Sequence, residues 1–142
     1  MRLTPNFTLA ELTRTSTGLP NSPTPAEVEN LRCVAAHILQ PLRDHLGVPV
    51  LVSSGYRSDR VNRAVGGSST SQHRLGQAAD ISTREFDAPE LAQRIVDLGL
   101  PFDQLIQEFG RWVHISYGPR HRRQVLTAVK RNGRTVYLTG LV

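Results

Sequence analysis

The succession of helical and strand patterns along this 142-residue chain predicts an α+β fold, in which amino-terminal helices pack on a mainly antiparallel sheet. The first third of the chain carries one long helical stripe of apolar residues, whereas the last third consists of short segments with strand character. Two of these late segments flank Asn132-Gly133, which is typical of a two-residue hairpin turn. The length fits one domain over residues 1–142, and a core of that size needs no cross-links.

The segment Thr24-Pro-Ala-Glu27 predicts the start of the long helix. Its Thr can cap the helix, its Pro suits the first helical position, and its Glu completes a capping box. Apolar residues then recur at helical spacing as far as Gly47: Val28, Leu31, Ala35, Ile38, Leu42 and Leu46. Pro41 lies within this stripe and predicts a kink or break near Gln40, because proline removes a helical hydrogen bond.

The remainder of the chain reads as strands joined by two further helices. Val48–Val52 is apolar and rich in β-branched residues, which predicts a buried strand. Residues 57–65 predict a short helix, and residues 87–98 predict an amphipathic one. The later segments predict five strands: Ala79–Ser82, Gln104–Phe109, Trp112–Tyr117, Gln124–Lys130 and Thr135–Thr139.

Three residues could together bind a metal ion. His73 and Asp80 stand in the string Ser71-Gln-His-Arg-Leu-Gly-Gln-Ala-Ala-Asp80, and His114 stands in a predicted strand. Two imidazoles and one carboxylate form a three-ligand set for Zn²⁺ and leave the fourth position to water, as in catalytic zinc sites. A carboxylate beside an apolar strand is also costly unless a positive charge meets it, and a metal would supply that charge.

The competing interpretation is that these histidines are ordinary hydrogen-bonded residues. The chain has five histidines, and most histidines in proteins bind no metal. His37 and His45 belong to the long helix and His121 to an Arg-rich loop, so we assign none of these three to the metal.

Three segments resemble the zinc D-Ala-D-Ala carboxypeptidase family: Ser54-Gly-Tyr-Arg-Ser58, the string from Ser71 to Asp80, and Trp112-Val-His114. That family includes peptidoglycan endopeptidases and shares its fold with the amino-terminal domain of hedgehog proteins. The resemblance extends from Phe7 through the final strands and is closest to small single-domain members from bacteria and bacteriophages. It implies a hedgehog/DD-peptidase-like fold, one Zn²⁺ per chain and the peptide stem of peptidoglycan as substrate.

Glu108 and Asp103 are the candidates for a general base, since Asp80 is assigned to the metal. Some members of the family carry their acid three residues before the last zinc-binding His, but that position here is Arg111. Glu108 lies six residues before His114, a separation that resembles the hedgehog-type arrangement. The alternative is that Glu108 is a solvated strand carboxylate paired with a basic neighbour.

Hairpin geometry gives an independent test of Glu108. If Phe109–Arg111 is a three-residue loop, Glu108 pairs with Trp112 and Ile106 with His114, so that Glu108 and His114 share a face of the sheet. A two-residue turn would shift the register by one and place Glu108 on the opposite face. Three-residue loops with a residue in the left-handed region are common in hairpins, which favours the first register.

Arg57 is the remaining candidate for the active site. In the enzymes that this chain resembles, the matching Arg faces the metal and binds the substrate or its transition state. A guanidinium offers a planar pair of donors to a carboxylate or an oxyanion. The alternative is a surface Arg57 paired with Asp59. Ser71 and Gln72 are predicted to contact the substrate and to donate hydrogen bonds that orient His73.

The chain carries a formal charge of +5, and no acidic residue follows Glu108. The basic residues of this tail are Arg111, Arg120, Arg122, Arg123, Lys130, Arg131 and Arg134. Such charge could attract the anionic bacterial wall or nucleic acid. Stacking aromatics, helix-turn-helix spacing and zinc-finger spacing are all missing, so we expect peptidoglycan as the partner and not nucleic acid.

The composition also bounds where and how the protein acts. The single Cys33 cannot form an intramolecular disulfide. The first residues lack a signal-peptide pattern, and no apolar stretch could span a bilayer. We therefore expect a monomer without an organic cofactor. It would be made in the cytoplasm and reach the cell wall through phage lysis or a phage particle.

These expectations combine into a zinc metallopeptidase in which Glu108 is the base and Arg57 stabilises the oxyanion. The bond that it cuts is either D-Ala-D-Ala or L-Ala-D-Glu. Two other classes remain open: a non-catalytic zinc protein, and a basic phage structural protein that binds cell wall or nucleic acid.

Overall fold

In the computed structural model, which describes all 142 residues, helices occupy mainly the first half of the chain and a six-stranded sheet most of the second. The helices are α1 (Leu9–Thr13), α2 (Pro25–Val34), α3 (Gln40–Leu46), α4 (Asp59–Ala64) and α5 (Ala88–Leu98). The strands are β1 (Arg2–Thr4), β2 (Phe7–Thr8), β3 (Leu51–Ser54), β4 (Ala78–Ser82), β5 (Gln104–Glu108), β6 (Trp112–Ser116), β7 (Gln124–Arg131) and β8 (Arg134–Thr139). The predicted α+β class is confirmed. None of the helices combines the length and the apolar character that crossing a membrane requires.

The long helix begins as predicted and passes Pro41 without a break. Thr24 caps α2 and forms a complete capping box with Glu27. Ala35–Leu39 then forms a π-helical turn that leads directly into α3, where the N–H of Gln40 donates to the carbonyl of Ala35. The predicted break near Gln40 is absent, because the helix continues through Pro41. The α-helical pattern is nevertheless interrupted just before Gln40 by the π turn, whose wider ring accommodates the proline.

The sheet has the strand order β3-β4-β6-β5-β7-β8. All neighbours are antiparallel except β5 and β7, which run parallel, so the sheet is mixed but mainly antiparallel, as predicted. The predicted buried strand Val48–Val52 is wrong. The strand lies at Leu51–Ser54 on an edge of the sheet, and Leu51 is 40% exposed. Pro49 has no N–H to join a ladder, which delays the start of the strand.

The two faces of the sheet have different roles. Alternate residues of the central strands point into one core with the long helix and α5, and all of the following are fully buried: Ala79, Ile81, Leu105, Val113 and Ile115. Their chain neighbours, among them Asp80, Ile106 and His114, point to the opposite face. Burying the apolar face against helices therefore leaves the other face of β4, β6 and β5 for polar side chains.

The β5–β6 hairpin has the predicted three-residue loop. Glu108 pairs with Trp112 and Ile106 pairs with His114. Phe109 and Gly110 both have positive φ, at 59° and 71°, which matches the left-handed conformation expected in such a loop. The side chains of Glu108 and His114 therefore lie on the same face of the sheet.

Asp103 ties the connection between β6 and β7 to the rest of the protein. It is fully buried and accepts hydrogen bonds from the Arg122 backbone N–H at 2.9 Å and from Arg122 Nε at 2.8 Å. Gln72 Nε2 donates to the same carboxylate at 2.9 Å. Burial alone would raise the pKa of Asp103, but the hydrogen bonds from Arg122 outweigh it and lower the pKa to about 2. Asp103 is thus a charged structural anchor for residues 117–123.

Replacing Asp103 with Asn should destabilise the protein by about 2 kcal/mol at pH 7, and this difference should shrink to about half by pH 3. The pKa of Asp103 is about 2 in the folded chain against an ordinary 3.8, so the ionised carboxylate stabilises the fold. This stabilisation is fully present above pH 4 and is lost as the pH falls through 2. Urea unfolding of both proteins at several pH values measures the effect. Asp97→Asn, exposed on α5, is the control, and a pH-independent difference for Asp103→Asn would contradict the assignment.

Candidate metal centre

Three side chains meet at the polar face of the sheet. His73 lies in a short 3₁₀ turn, Gln72–Leu75, while Asp80 and His114 are direct partners across β4 and β6. Asp80 Oδ1 lies 3.2 Å from His73 Nε2 and 3.2 Å from His114 Nδ1. The structure thus brings together the three residues that the sequence predicts as metal ligands.

The spacing of the donor atoms fits a tetrahedral zinc ion. Zinc–nitrogen bonds of 2.0–2.1 Å place neighbouring ligand atoms about 3.3 Å apart in a tetrahedron. The side chains of His73 and Asp80 are buried, that of His114 is 12% exposed, and all three residues line one cavity. Two imidazole nitrogens and one carboxylate oxygen leave the fourth position of a tetrahedral zinc ion for water, as a catalytic zinc site requires.

A backbone carbonyl orients the first imidazole. His73 Nδ1 lies 2.7 Å from the carbonyl oxygen of Gly55 and donates to it, which leaves Nε2 free to bind a metal. Gly55 in turn lies against α1, because a Cβ at this position would come 2.4 Å from the backbone oxygen of Leu12. The sequence analysis missed this contact, although the glycine of the Ser54-Gly-Tyr segment was a signal for a close backbone approach.

Ser71 and Gln72 do not orient the His73 ring, so that prediction is wrong. Ser71 Oγ accepts from the His73 backbone N–H at 3.2 Å and caps the 3₁₀ turn, and Gln72 donates to Asp103. The Gly55 carbonyl occupies the position that a donor or acceptor for the ring would need. Both residues line the cavity described below, so their contact with a substrate stays a prediction.

The electrostatics of the group favour the protonation states that a metal needs. Burial lowers the pKa of His73, and the neighbouring Asp80 opposes this only in part. Burial alone would raise the pKa of Asp80, but the contacts with His73 and His114 hold it well below its ordinary range. At neutral pH the site therefore offers a neutral His73 and an ionised Asp80, the forms that bind zinc.

Arg57 contacts the same carboxylate from the other side. Its Nη2 lies 3.2 Å from Asp80 Oδ2, its Nε donates to Ser54 Oγ, and its Nη1 donates to Asn62 Oδ1. The side chain is 15% exposed. The alternative of a surface Arg57 paired with Asp59 is wrong. Asp59 lies near Arg74, and the guanidinium of Arg57 points toward the buried Asp80.

Glu108 lies beside the metal ligands and forms no ion pair. It is half-buried, and the Trp112 indole N–H donates to its carboxylate. Burial raises the pKa of Glu108, and the charge of Asp80 adds to this. This environment differs from the solvated, paired carboxylate that was the alternative. Asp103, the other candidate base, is fully buried beneath Arg122 and does not line the cavity.

One open cavity of about 860 Å³ contains the metal ligands, Arg57 and Glu108. This volume is near the upper end of the range for small-molecule sites, which suits a substrate of several residues. The strand order explains the arrangement: Arg57 follows β3, Asp80 and His114 lie on β4 and β6, and Glu108 lies on β5. The two predicted catalytic side chains therefore flank the ligand group.

Comparisons with known proteins agree with this geometry. The family described as Peptidase M15 matches residues 5–116, which include the three predicted metal ligands, Arg57 and Glu108. The zinc D-Ala-D-Ala carboxypeptidase of Streptomyces albus G is 36% identical over 90 residues, which are 62% of this chain and 35% of that protein. The chain thus spans about a third of the length of this curated relative. The match to the family over most of the chain, through the strands that carry the metal ligands, shows that the protein belongs to the peptidase M15 family.

Proposed function

We propose that this protein is a zinc peptidase that hydrolyses the peptide stem of bacterial peptidoglycan. Its membership of a peptidase family and the similarity to a zinc D-Ala-D-Ala carboxypeptidase support the metal and the substrate class. The observation that carries the proposal is the presence of Glu108 and Arg57 on opposite sides of the ligand group in one cavity. A protein that used zinc only for stability would not need an unpaired, desolvated carboxylate beside the metal ligands.

The metal would be held by His73, Asp80 and His114, and when bound it would supply the positive charge that makes a water molecule acidic near neutral pH. Glu108 would accept the proton of the attacking water and pass it to the leaving amine. Its raised pKa makes it a stronger base than an exposed carboxylate. The Trp112 N–H holds the carboxylate in place.

Arg57 is suited to bind the oxyanion or a substrate carboxylate. A guanidinium has five N–H donors. Three of them are directed to Ser54, Asn62 and Asp80, so two remain. The three bonds fix the plane of the side chain in advance, which makes donors most effective when charge develops on the substrate.

Two bonds remain candidates, D-Ala-D-Ala and L-Ala-D-Glu, and the site of action that we propose is the bacterial cell wall. Digestion of purified peptidoglycan, followed by mass spectrometry of the released peptides, tests activity and bond choice together. If the zinc-loaded parent protein releases no fragment from any wall preparation or muropeptide, the proposed function is wrong.

Removing any one ligand should remove most of the zinc. Purified protein should carry close to one zinc per chain by elemental analysis, and His73→Ala, Asp80→Ala and His114→Ala should each lose most of it, because two protein ligands hold the ion poorly. His45→Ala, which changes an exposed histidine of α3, is the matched control and should keep its zinc. Circular dichroism checks that the variants are folded. Full occupancy in all three ligand variants would exclude this site.

Glu108→Gln should lower turnover of a muropeptide by about 10²–10⁴-fold without loss of zinc, because it removes the base but keeps the shape of the side chain. Glu90→Gln, an exposed change on α5, is the control and should leave both turnover and zinc content unaltered. Rates within a few-fold of the parent for Glu108→Gln would show that another group accepts the proton.

A further inference from the structure

The cavity continues past the metal ligands onto the β7–β8 hairpin, which lies beyond the residues that match the family. β7 pairs with β5 and β8 pairs with β7, so that Glu108, Ala128 and Tyr137 form one row across three strands. Side chains in such a row share a face of the sheet. The polar face that carries the metal ligands therefore extends across the whole hairpin.

Tyr137 supplies an aromatic side chain to the part of the cavity that the hairpin lines. Ala128, which separates Tyr137 from Glu108 in the row, is fully buried and does not line the cavity. Tyr137 is 54% exposed, an unusual exposure for a large side chain that lines a cavity. Burial of its hydroxyl end and the nearby charge of Glu108 raise the pKa of Tyr137, so its phenol stays protonated and can donate a hydrogen bond. The hairpin thus adds an aromatic wall to the cavity.

Lys130 adds an unpaired positive charge to the same cavity. Its Nζ donates to Thr135 Oγ1 at 2.9 Å and lies 5.2 Å from the centre of the Phe109 ring. It forms no ion pair, whereas Arg57 and Arg122, two other cations that line the cavity, pair with Asp80 and Asp103. Held by a hydroxyl and a ring, the ammonium group is positioned to meet an anionic group in the cavity.

The register gives the distance that a ligand must span. Ile106 pairs with both His114 and Leu126, so Lys130 lies two strands across and four residues along from His114. Strand spacings of about 4.8 Å and a rise of about 3.3 Å per residue make this roughly 16 Å between Cα atoms. An extended peptide covers that span with about four or five residues, fewer if the long lysine side chain reaches back.

We propose that the β7–β8 hairpin forms a subsite for a carboxylate-bearing residue of the peptide substrate, several residues from the bond that is cut. Lys130 pairs with the carboxylate, and Tyr137 packs against the peptide beside it. The identity of that peptide as a peptidoglycan stem rests on the proposed function, but the chemistry of the subsite does not. The preferred ligand is an extended acidic peptide and not a dipeptide.

A double-mutant cycle between protein and peptide tests the subsite. Stem peptides in which each carboxylate in turn is replaced by a carboxamide are compared on the parent and on Lys130→Gln. One replacement should lower kcat/KM about tenfold on the parent and have almost no effect on Lys130→Gln, as expected for a charge-assisted hydrogen bond. Arg131→Gln removes the same charge one residue away, on the opposite face of β7, and should behave as the parent.

The same comparison made by binding separates this proposal from the proposed function. Dissociation constants of the acid and amide peptides are measured by calorimetry on zinc-loaded Glu108→Gln, with and without Lys130→Gln. If one carboxamide replacement weakens binding only when Lys130 is present, the subsite is supported even if the parent cleaves nothing. The subsite proposal is wrong if, for every carboxylate, the effect of its replacement on the dissociation constant differs by less than twofold with and without Lys130→Gln. It is also wrong if Arg131→Gln causes an equal loss of affinity. Tyr137→Ser should weaken acid and amide peptides alike, and an unchanged affinity would remove Tyr137 from the subsite.

Discussion

The buried carboxylate of Asp80 is the constraint on which the site depends. An ionised carboxylate inside a protein is tolerated only when positive or hydrogen-bonding groups surround it. One of its oxygens lies 3.2 Å from each of His73 and His114, and the other lies 3.2 Å from Arg57. His73, His114 and Arg57 lie in a turn, a strand and a loop, so the single charge of Asp80 fixes the relative position of three separate parts of the chain.

The residues that stabilise the sheet and the residues that form the site alternate along the strands and lie on opposite faces. Residues such as Leu105, Val113 and Ile115 are fully buried against the helices and hold the strands in register. The residues between them include Asp80, His114 and Glu108, which do not contribute to that core. A substitution of Glu108 therefore changes the chemistry with little change in packing, whereas a substitution of Asp80 also removes the charge that holds the site together.

Local signals predicted the parts of the structure that depend on nearby residues. The capping box at Thr24, the three-residue loop after Glu108 and the ligand pair within the string ending at Asp80 all follow from short stretches of sequence. Local signals did not predict the contact between His73 and the Gly55 carbonyl or the parallel pairing of β5 with β7. Both join segments distant in the chain. Strand order leaves no residue pattern of its own, and Gly55 signals a close backbone approach without showing which side chain its carbonyl meets. The roles of Glu108 and Arg57 in catalysis remain predictions that the geometry favours.

The parallel ladder between β5 and β7 has a consequence for solubility. If the chain ended with β6, β5 would be an outer strand, with the open hydrogen-bonding groups of a segment that is mostly buried in the full protein. Such an edge is a template for pairing with another molecule and leads to aggregation. The hairpin covers it and moves the edge to β8, where exposed Thr135, Tyr137 and Thr139 alternate with the partly buried Val136 and Leu138. The last 25 or so residues therefore protect the edge of β5 from pairing with another molecule, in addition to any ligand that they bind.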